Sequence, residues 1–259
     1  MYEIDQILPE HVLLGRSEES IAETLDSVGG IWFLAGEPHF RFTPCKANPD
    51  LSFLHKWHAR VGDTTALPVK PNREQGKATT YAGSDCLAFS QGLNGGFHVP
   101  KIADDNQRFS CAIRFAAPDN DARTLLTVNL ESQSNYIFIT QNDGKITAKD
   151  DKGCFELSTE TNTHDAGFQW LILSLDGETF SLRSQNGAVH NTQARNLDFD
   201  GPARLFIGCR SHRKGLLKTL GHSFVSDVFF WPELNILDPR SAVGSEQLEC
   251  INALDGPGL

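Results

Sequence analysis

Residues 84–100 read SDCLAFSQGLNGGFHVP. An apolar run enters Gly92–Gly96, a second apolar run leaves it, and Pro100 stops it. Two kinds of structure share this pattern. A phosphate-binding loop sets its glycines between a strand and a helix, so that helix N–H groups face the anion. A hairpin needs a tight turn with positive φ angles, which an Asn-Gly pair supplies. After Gly96 comes FHVP, a short strand pattern, then a polar loop and another strand. No helix pattern follows, and no Gly-Lys-Ser/Thr is present. The stretch therefore reads as a turn at Asn94–Gly95 joining two sheet strands, and it opens a β protein.

The strand grammar continues to about residue 232. In FSCAIRF, Phe109, Cys111, Ile113 and Phe115 alternate with Ser110, Ala112 and Arg114, the period of a half-buried strand. LLTVNL follows, then NYIFITQNDGKITAK around Asp143–Gly144, then FQWLILSLDGETFSLRSQNG around Asp176–Gly177 with Asn186–Gly187 after it. Each pair is a hairpin signal. WLILSL is apolar throughout, as in a strand covered on both faces. RLFIGC and SFVSDVFFW close the series. Short strands with turn pairs and almost no helix between them predict an all-β, two-sheet antiparallel sandwich; a barrel shares the same signals.

Upstream the pattern changes. Ser17 with Glu18 and Glu19 makes a helix start, and Ile21, Leu25 and Val28 recur at helical spacing until Gly29–Gly30. This predicts one helix over 17–28. IWFLA and HFRFT are short strand candidates, and Pro38, Pro44, Pro49, Pro68 and Pro71 break the rest into loops. The expected division is an extension over 1–76, helical and irregular, a sandwich over 77–240 and a tail over 241–259.

Composition narrows the function classes. The 259 residues are 39% hydrophobic and 22% charged, with 17 Phe and one Met, so the chain can bury a rigid aromatic core. A net charge of −10 disfavours nonspecific nucleic-acid binding. The short cluster Arg210, His212, Arg213 and Lys214 does not offset it. The opening MYEIDQILPEHVLLG lacks a basic n-region, and no apolar run reaches the length of a membrane span, so synthesis in the cytoplasm without a signal peptide is expected. Cysteines 45, 86, 111, 154, 209 and 250 show no CxxC spacing and read as buried free thiols.

Several motifs in order resemble the laminin-G-like and concanavalin-A-like lectin/glucanase group. TTYAGSDCLAFSQGLNGGFHVP is similar to its opening strand pair and FSCAIRFAAP to the next strand. FQWLILSLDGETFSLRSQNGAV resembles its Trp-strand hairpin, GPARLFIGCR the strand after it, and SFVSDVFFWPELNILD its last strand. The resemblance covers about 78–238 and implies a two-sheet jelly roll. It implies less about activity, since such folds host lectins, hydrolases, lyases and virion proteins.

Candidate sites follow from that resemblance. Glucanases of the group pair carboxylates on one strand face; here only Glu3 and Asp5 come near, at the terminus and without a third acid, where they read as a solvated end, which argues against a hydrolase of that type. Gly221-His222-Ser223 lacks the second glycine of a nucleophile elbow. His55, Trp57 and His58 form the densest imidazole–indole cluster, a candidate carbohydrate or metal site, with Trp57 the indole expected at the surface; the bland reading makes Trp57 a packing anchor. Trp170 and Trp231 sit in strand patterns and read as core. Calcium at a rim of laminin-G-like domains would take oxygen ligands, for which Asp104, Asp105, Asp119 and Asp121 are candidates; they also read as polar turns of an acidic protein.

The expectation is a non-catalytic jelly-roll module that binds or assembles. A virion decoration or fibre protein would suit it, docking on partner subunits through 1–76 and touching host-surface glycans, with no nucleic acid and no membrane insertion. The alternative is a carbohydrate-active enzyme of the same fold, a lyase or glycosidase; a third is an intracellular scaffold.

Overall fold

The structure, a computed structural model, describes residues 16–44, 52–70, 77–130, 135–161, 167–185, 187–194, 197, 199, 201–212 and 218–254. The chain runs through α1 (Glu18–Asp26), β1 (Ile31–Leu34), β2 (Phe40–Pro44), β3 (Ser52–His58), β4 (Thr65–Pro68), β5 (Lys77–Tyr81), β6 (Ser84–Phe89), β7 (Phe97–Ala103), β8 (Arg108–Ala116) and β9 (Arg123–Leu130). It continues through β10 (Tyr136–Asn142), β11 (Lys145–Asp150), β12 (Glu156–Glu160), β13 (Gln169–Asp176), β14 (Thr179–Ser184), β15 (Val189–Gln193), β16 (Ala203–Ile207), β17 (Ser223–Pro232) and α2 (Ala242–Ala253).

The strands form two antiparallel sheets. The first runs β15-β14-β13-β8-β17-β6-β5, with β1 also on β17; the second runs β12-β11-β10-β9-β16-β7-β4-β3-β2. This is the all-β sandwich expected. Residues 31–68 are woven into it: β1 pairs with β17, and β4 joins β3 and β2 to β7.

Side-chain alternation sorts the layers. On β13, Leu171, Leu173 and Leu175 enter the core between the sheets, whereas Trp170 and Ile172 face outward. The outward face of the first sheet is a second apolar layer. Phe229 lies at its centre, 5.1 Å from Trp32, 5.4 Å from Trp231 and 5.7 Å from Trp170 between ring centroids. α1 covers it with Ile21 and Leu25, and α2 with Cys250 and Ile251. Buried Gln247 ties this layer together: its Oε1 accepts from Trp231 Nε1 at 3.0 Å, and its Nε2 donates to the Thr24 carbonyl at 3.1 Å. WLILSL is thus covered on both faces, as its unbroken apolarity requires.

The helix predicted over 17–28 is α1, with the Ser17 hydroxyl accepting from Ser20 N–H. α2 lies in the span expected as a tail. Its periodicity is weak and Gly244 interrupts the pattern, although Ser241 caps it through Gly244 N–H. A Cβ at Gly244 would stand 3.0 Å from the Asn235 carbonyl oxygen, so close docking explains the glycine.

The Asp-Gly signals hold. Asp143 and Gly144 both have positive φ, a type I′ turn between β10 and β11. Asp176 pairs with Thr179, leaving Gly177 at positive φ in first central place, the type II′ arrangement. Asn186 lies outside the described residues. The reading of Asn94–Gly95 as a hairpin is corrected. β6 belongs to the first sheet and β7 to the second, so Ser90–Gly96 crosses between layers. The only positive φ in that crossing is at Gly92 (73°). The hairpin sits one strand earlier, at Ala82–Gly83, where φ is 47° and 80° and Tyr81 pairs with Ser84. An alanine in a left-handed turn gives no sequence warning.

β17 binds β8 along one edge, and on the other edge first β6 and then β1. A bulge at Ser226 lets Val225 and Val228 both face the core, and turns Asp227 outward under α1. There Asp227 Oδ1 accepts from Trp32 Nε1 at 3.0 Å, and Oδ2 lies 3.8 Å from Arg114 Nη1. Burial pushes the Asp227 carboxyl above the usual carboxylate range, against the pull of Ser226, Trp32 and Arg114. A raised folded-state value favours folding at low pH, and that advantage disappears as pH rises through the value. Asp227→Ala is expected to lower stability by about 2 kcal/mol, since it strands the buried Trp32 indole N–H. Asp227→Asn, which keeps an acceptor for Trp32, should cost about 1 kcal/mol or less and remove this group's pH slope; urea unfolding at several pH values checks both.

Candidate ligand-binding face

Two helices cover the middle strands of the first sheet's outer face; the outer face of the second sheet carries rows of polar and aromatic side chains, buried toward its middle. Register builds these rows. Following paired residues from strand to strand gives one row: Glu156 on β12, Lys149, Phe138, Thr127, Phe206, His98 and Leu67 on β4. With strands about 4.8 Å apart, the row is about 29 Å long. A parallel row beside it carries Tyr136, Asn129 and Arg204, and another carries Ser158, Thr147, Thr140 and Thr124. Anion, cation, ring, hydroxyl and imidazole thus succeed one another across the sheet.

Residues 209–212 lie over the middle of the row as a strap. Thr127 Oγ1 donates to the Cys209 carbonyl at 3.2 Å. The Arg210 guanidinium sits 4.0 Å above the Phe138 ring, with Nε 3.3 Å from Thr124 Oγ1. The His212 ring lies 4.3 Å from that of His98 and 5.3 Å from that of Phe206. The inter-sheet crossing holds the strap from the side: Asn94 Nδ2 donates to the Ser211 carbonyl at 3.3 Å, and Asn94 Oδ1 accepts from Gly96 N–H. Gly96 has to be glycine here, because a Cβ would fall 2.3 Å from Cys209 Sγ. The Gly-rich stretch therefore seats the strap.

Beside Arg210 the sheet edge opens into a cleft of about 490 Å³ lined by Phe138, Lys149, Asp151, Lys152, Glu156 and Arg210. Its rim is shaped by Asp150. That buried carboxylate accepts from Phe155 N–H (3.1 Å), Lys152 N–H (3.3 Å) and Asn135 Nδ2 (3.1 Å), folding 151–155 around itself. Burial alone would raise Asp150; the bonds from Phe155, Asn135 and Cys154 overcome it and hold the carboxyl below the usual range. Tyr136, at the same edge, is raised by burial and by its hydrogen bond to Asp151, with Arg210 opposing. The cleft offers cationic donors, carboxylate acceptors and a partly exposed phenol, a set that hydrogen-bonds polyhydroxylated ligands.

The residues singled out in sequence lie elsewhere. Trp57 is corrected from surface indole to core: it is 0% exposed, packs against Phe33, Phe40 and Phe97, and donates Nε1 to the Leu34 carbonyl at 2.9 Å. A bulge between Arg41 and Phe42 puts two residues of β3 against one of β2, so Leu54 and Trp57 both turn inward three apart. His55 Nδ1 pairs with Thr43 Oγ1 and His58 Nδ1 with Thr65 Oγ1. The exposed rings of that hairpin are Phe42 (44%) and Phe53 (41%). Trp170 and Trp231 are buried, as expected. Glu3 and Asp5 lie outside the described residues.

The four aspartates proposed for calcium each have a partner within the protein. Asp104 pairs with Lys101 (2.6 Å), and Asp105 Oδ1 accepts from Gln107 N–H. Asp119 pairs with His222 (3.0 Å) and Asp121 with Arg123 (2.6 Å). Among the described residues no three His, Cys, Asp or Glu side chains are placed to share a metal ion. The five described cysteines are free thiols, and no described helix is long and apolar enough to cross a membrane.

No protein-family model and no curated protein matches the sequence. Solved structures do match. Trypanosoma rangeli sialidase bound to the inhibitor DANA superposes with a TM-score of 0.56 at 12% identity, over 93% of this chain and 38% of that one. The HCR/D F1240A mutant gives 0.53 at 11%, over 87% and 50%. Mouse laminin α1 chain domains LG4-5 give 0.45 at 14%, over 64% and 47%. The chain thus spans half or less of each of these proteins. At such identities the first two likenesses establish the fold, a β-sandwich, and nothing finer.

Because the folded Asp150 value is depressed, its contribution to stability is complete above the unfolded carboxylate value of about 3.9 and is lost as pH falls through the folded one. Asp150→Asn is expected to cost about 2 kcal/mol at pH 7. The gap between variant and wild type should close toward pH 3 in denaturant titrations; a gap independent of pH would contradict the role given to the carboxylate.

Proposed function

We propose that the chain is a non-catalytic β-sandwich binding module that holds a carbohydrate on the outer face of its second sheet. The observation that carries this is the asymmetry of the two outer faces. The middle of one is closed by two helices over a Trp–Phe stack, and the other carries cross-strand rows of mixed polar and aromatic side chains, covered in the middle by residues 209–212 and opening at the β11–β12 end into a cleft. The likeness to part of a sialidase chain supports the sandwich fold and is compatible with a carbohydrate ligand, bound or cleaved.

The titratable groups favour binding over hydrolysis. A general acid needs a carboxyl raised toward neutrality. Among the described residues, the carboxyl raised by its surroundings, Asp227, is buried away from the cleft, and the buried one at the cleft, Asp150, is held low with its oxygens engaged. Asp151 and Glu156, which share the cleft, keep a carbohydrate-active enzyme as the second reading. A place on a virion, with partner subunits, is a wider proposal from the sequence that particle association would test.

An immobilised glycan panel tests the main reading. The wild-type chain should retain at least one glycan without shortening it. Arg210→Ala and Lys149→Ala should each weaken retention about tenfold, roughly 1.4 kcal/mol, with melting temperatures within a few degrees of wild type. Release of shortened products would instead support the enzyme; retention by neither wild type nor variants would remove the lectin reading.

A further inference from the structure

The exposed part of the second sheet's outer face lies on β11 and β12. Toward β9 and β16 the face is buried beneath residues 209–212. On β11 and β12, by contrast, Lys145, Glu156 and Glu160 are exposed, and Thr147, Lys149 and Ser158 are partly so. These six residues pair across the two strands as Lys149–Glu156, Thr147–Ser158 and Lys145–Glu160. Thr161 N–H donates to the Gly144 carbonyl at 2.8 Å, so residues 144 and 161 face each other as a hydrogen-bonded pair. Alternation then makes the three outer pairs the non-hydrogen-bonded kind, whose side chains stand closest. The Thr147 and Ser158 hydroxyl oxygens are 3.4 Å apart. Each pair thus sets a donor beside an acceptor.

A cleft stands at each end of this track. The first is the one beside Arg210, which takes in Lys149 and Glu156. The second, of about 720 Å³, takes in Lys145, Ser158 and Glu160 and continues round the edge of β12 to His190 on β15. His190 pairs with Leu182, a core residue, so its ring is on the side of β15 that faces β12. Across that gap Thr159 Oγ1 lies 3.3 Å from Ser184 Oγ, and Thr161 Oγ1 donates to the Gly144 carbonyl at 2.6 Å. Four residues of strand separate Glu156 from Glu160, about 13 Å, so no single sugar ring reaches from one cleft to the other. Nor does the track select for charge. In the first cleft Lys149, Lys152 and Arg210 stand with Asp150, Asp151 and Glu156; in the second, Lys145 stands with Asp143 and Glu160. A polyanion would meet carboxylates at both ends, and a polycation would meet lysines.

Resting on the lectin reading above, we propose that the outer face of β11–β12 holds several consecutive units of a neutral polysaccharide chain, which runs along the strands from the Arg210 cleft to the Glu160–His190 cleft. The ligand is therefore the interior of a chain and not a terminal sugar. Subsites in series make length the readout: each further unit that touches the track adds binding until both clefts are filled, and affinity levels off thereafter.

The test uses the intact chain and neutral oligosaccharides of one to six units: β-1,4-linked glucose, mannose and xylose, and α-1,4-linked glucose. Oligogalacturonates serve as the charged series. Calorimetry is expected to show, in at least one neutral series, affinity rising at least tenfold from dimer to hexamer, with no comparable binding of galacturonates. Glu160→Gln and Lys145→Ala, at the second cleft, should lower hexamer binding at least fivefold more than dimer binding. Glu178→Gln, in the exposed turn before β14, should match wild type throughout. If either cleft variant fails to fold, the wild-type length series decides. A single sugar bound as tightly as the hexamer overturns the track and leaves the lectin reading standing. So does a loss in the cleft variants that is equal for dimer and hexamer. Galacturonates bound as tightly as the neutral hexamer overturn the neutral assignment. Binding of none of these series overturns this inference, and the wider glycan panel then decides the lectin reading separately.

Discussion

The bulge at Ser226 in β17 is the constraint from which the architecture follows. A ten-residue strand in the middle of a sheet must satisfy backbone groups on both edges. β17 does so with β8 on one side and, on the other, β6 for its first half and β1 for its second. The extra residue changes the phase between the halves. Valines three apart then reach the same core, and Asp227, Phe229 and Trp231 turn outward together. That outward set needs a cover, which α1 and α2 provide, and Asp227 finds Trp32 on the strand that α1 leads into. A carboxylate buried against an indole N–H and an arginine adds little net stability; it specifies which strand lies beside the second half of β17.

With the middle of one outer face covered, the candidate site lies on the other. The second sheet's outward residues are mostly polar, and the rings among them, Phe138 and Phe206, lie beneath the strap. The strap depends in turn on the crossing at 90–96, through Asn94 and the missing side chain of Gly96. A glycine-rich stretch that joins two strands, not a strand and a helix, shapes the candidate site by letting one backbone pass close to another.

Legibility differed by the range of the interaction that decides each feature. The turns at Asp143–Gly144 and Asp176–Gly177 were readable because the two residues themselves carry the required φ angles. The first helix was readable because Ser17 and the spacing of Ile21 and Leu25 are local. Asn94–Gly95 misled, because the same dipeptide serves a crossing whose course is set by Ser211 and Cys209, more than a hundred residues on. Trp57 misled because a bulge, invisible in alternation, returns it to the core. α2 escaped because its glycine answers to Asn235 rather than to helix propensity.

By itself, then, the sequence determined the class of the fold and the strands that fill its core. Period-two alternation, turn pairs and an unbroken apolar strand are properties of neighbouring residues, and burial acts on them directly. The candidate site was decided only by tertiary structure. Glu156, Lys149, Phe138, Thr127, Phe206 and His98 come from six strands and share a row only because the register aligns them. A shift of one residue in any pairing would turn that strand's member to the other face, and no local pattern along the chain records which register the packed core selects.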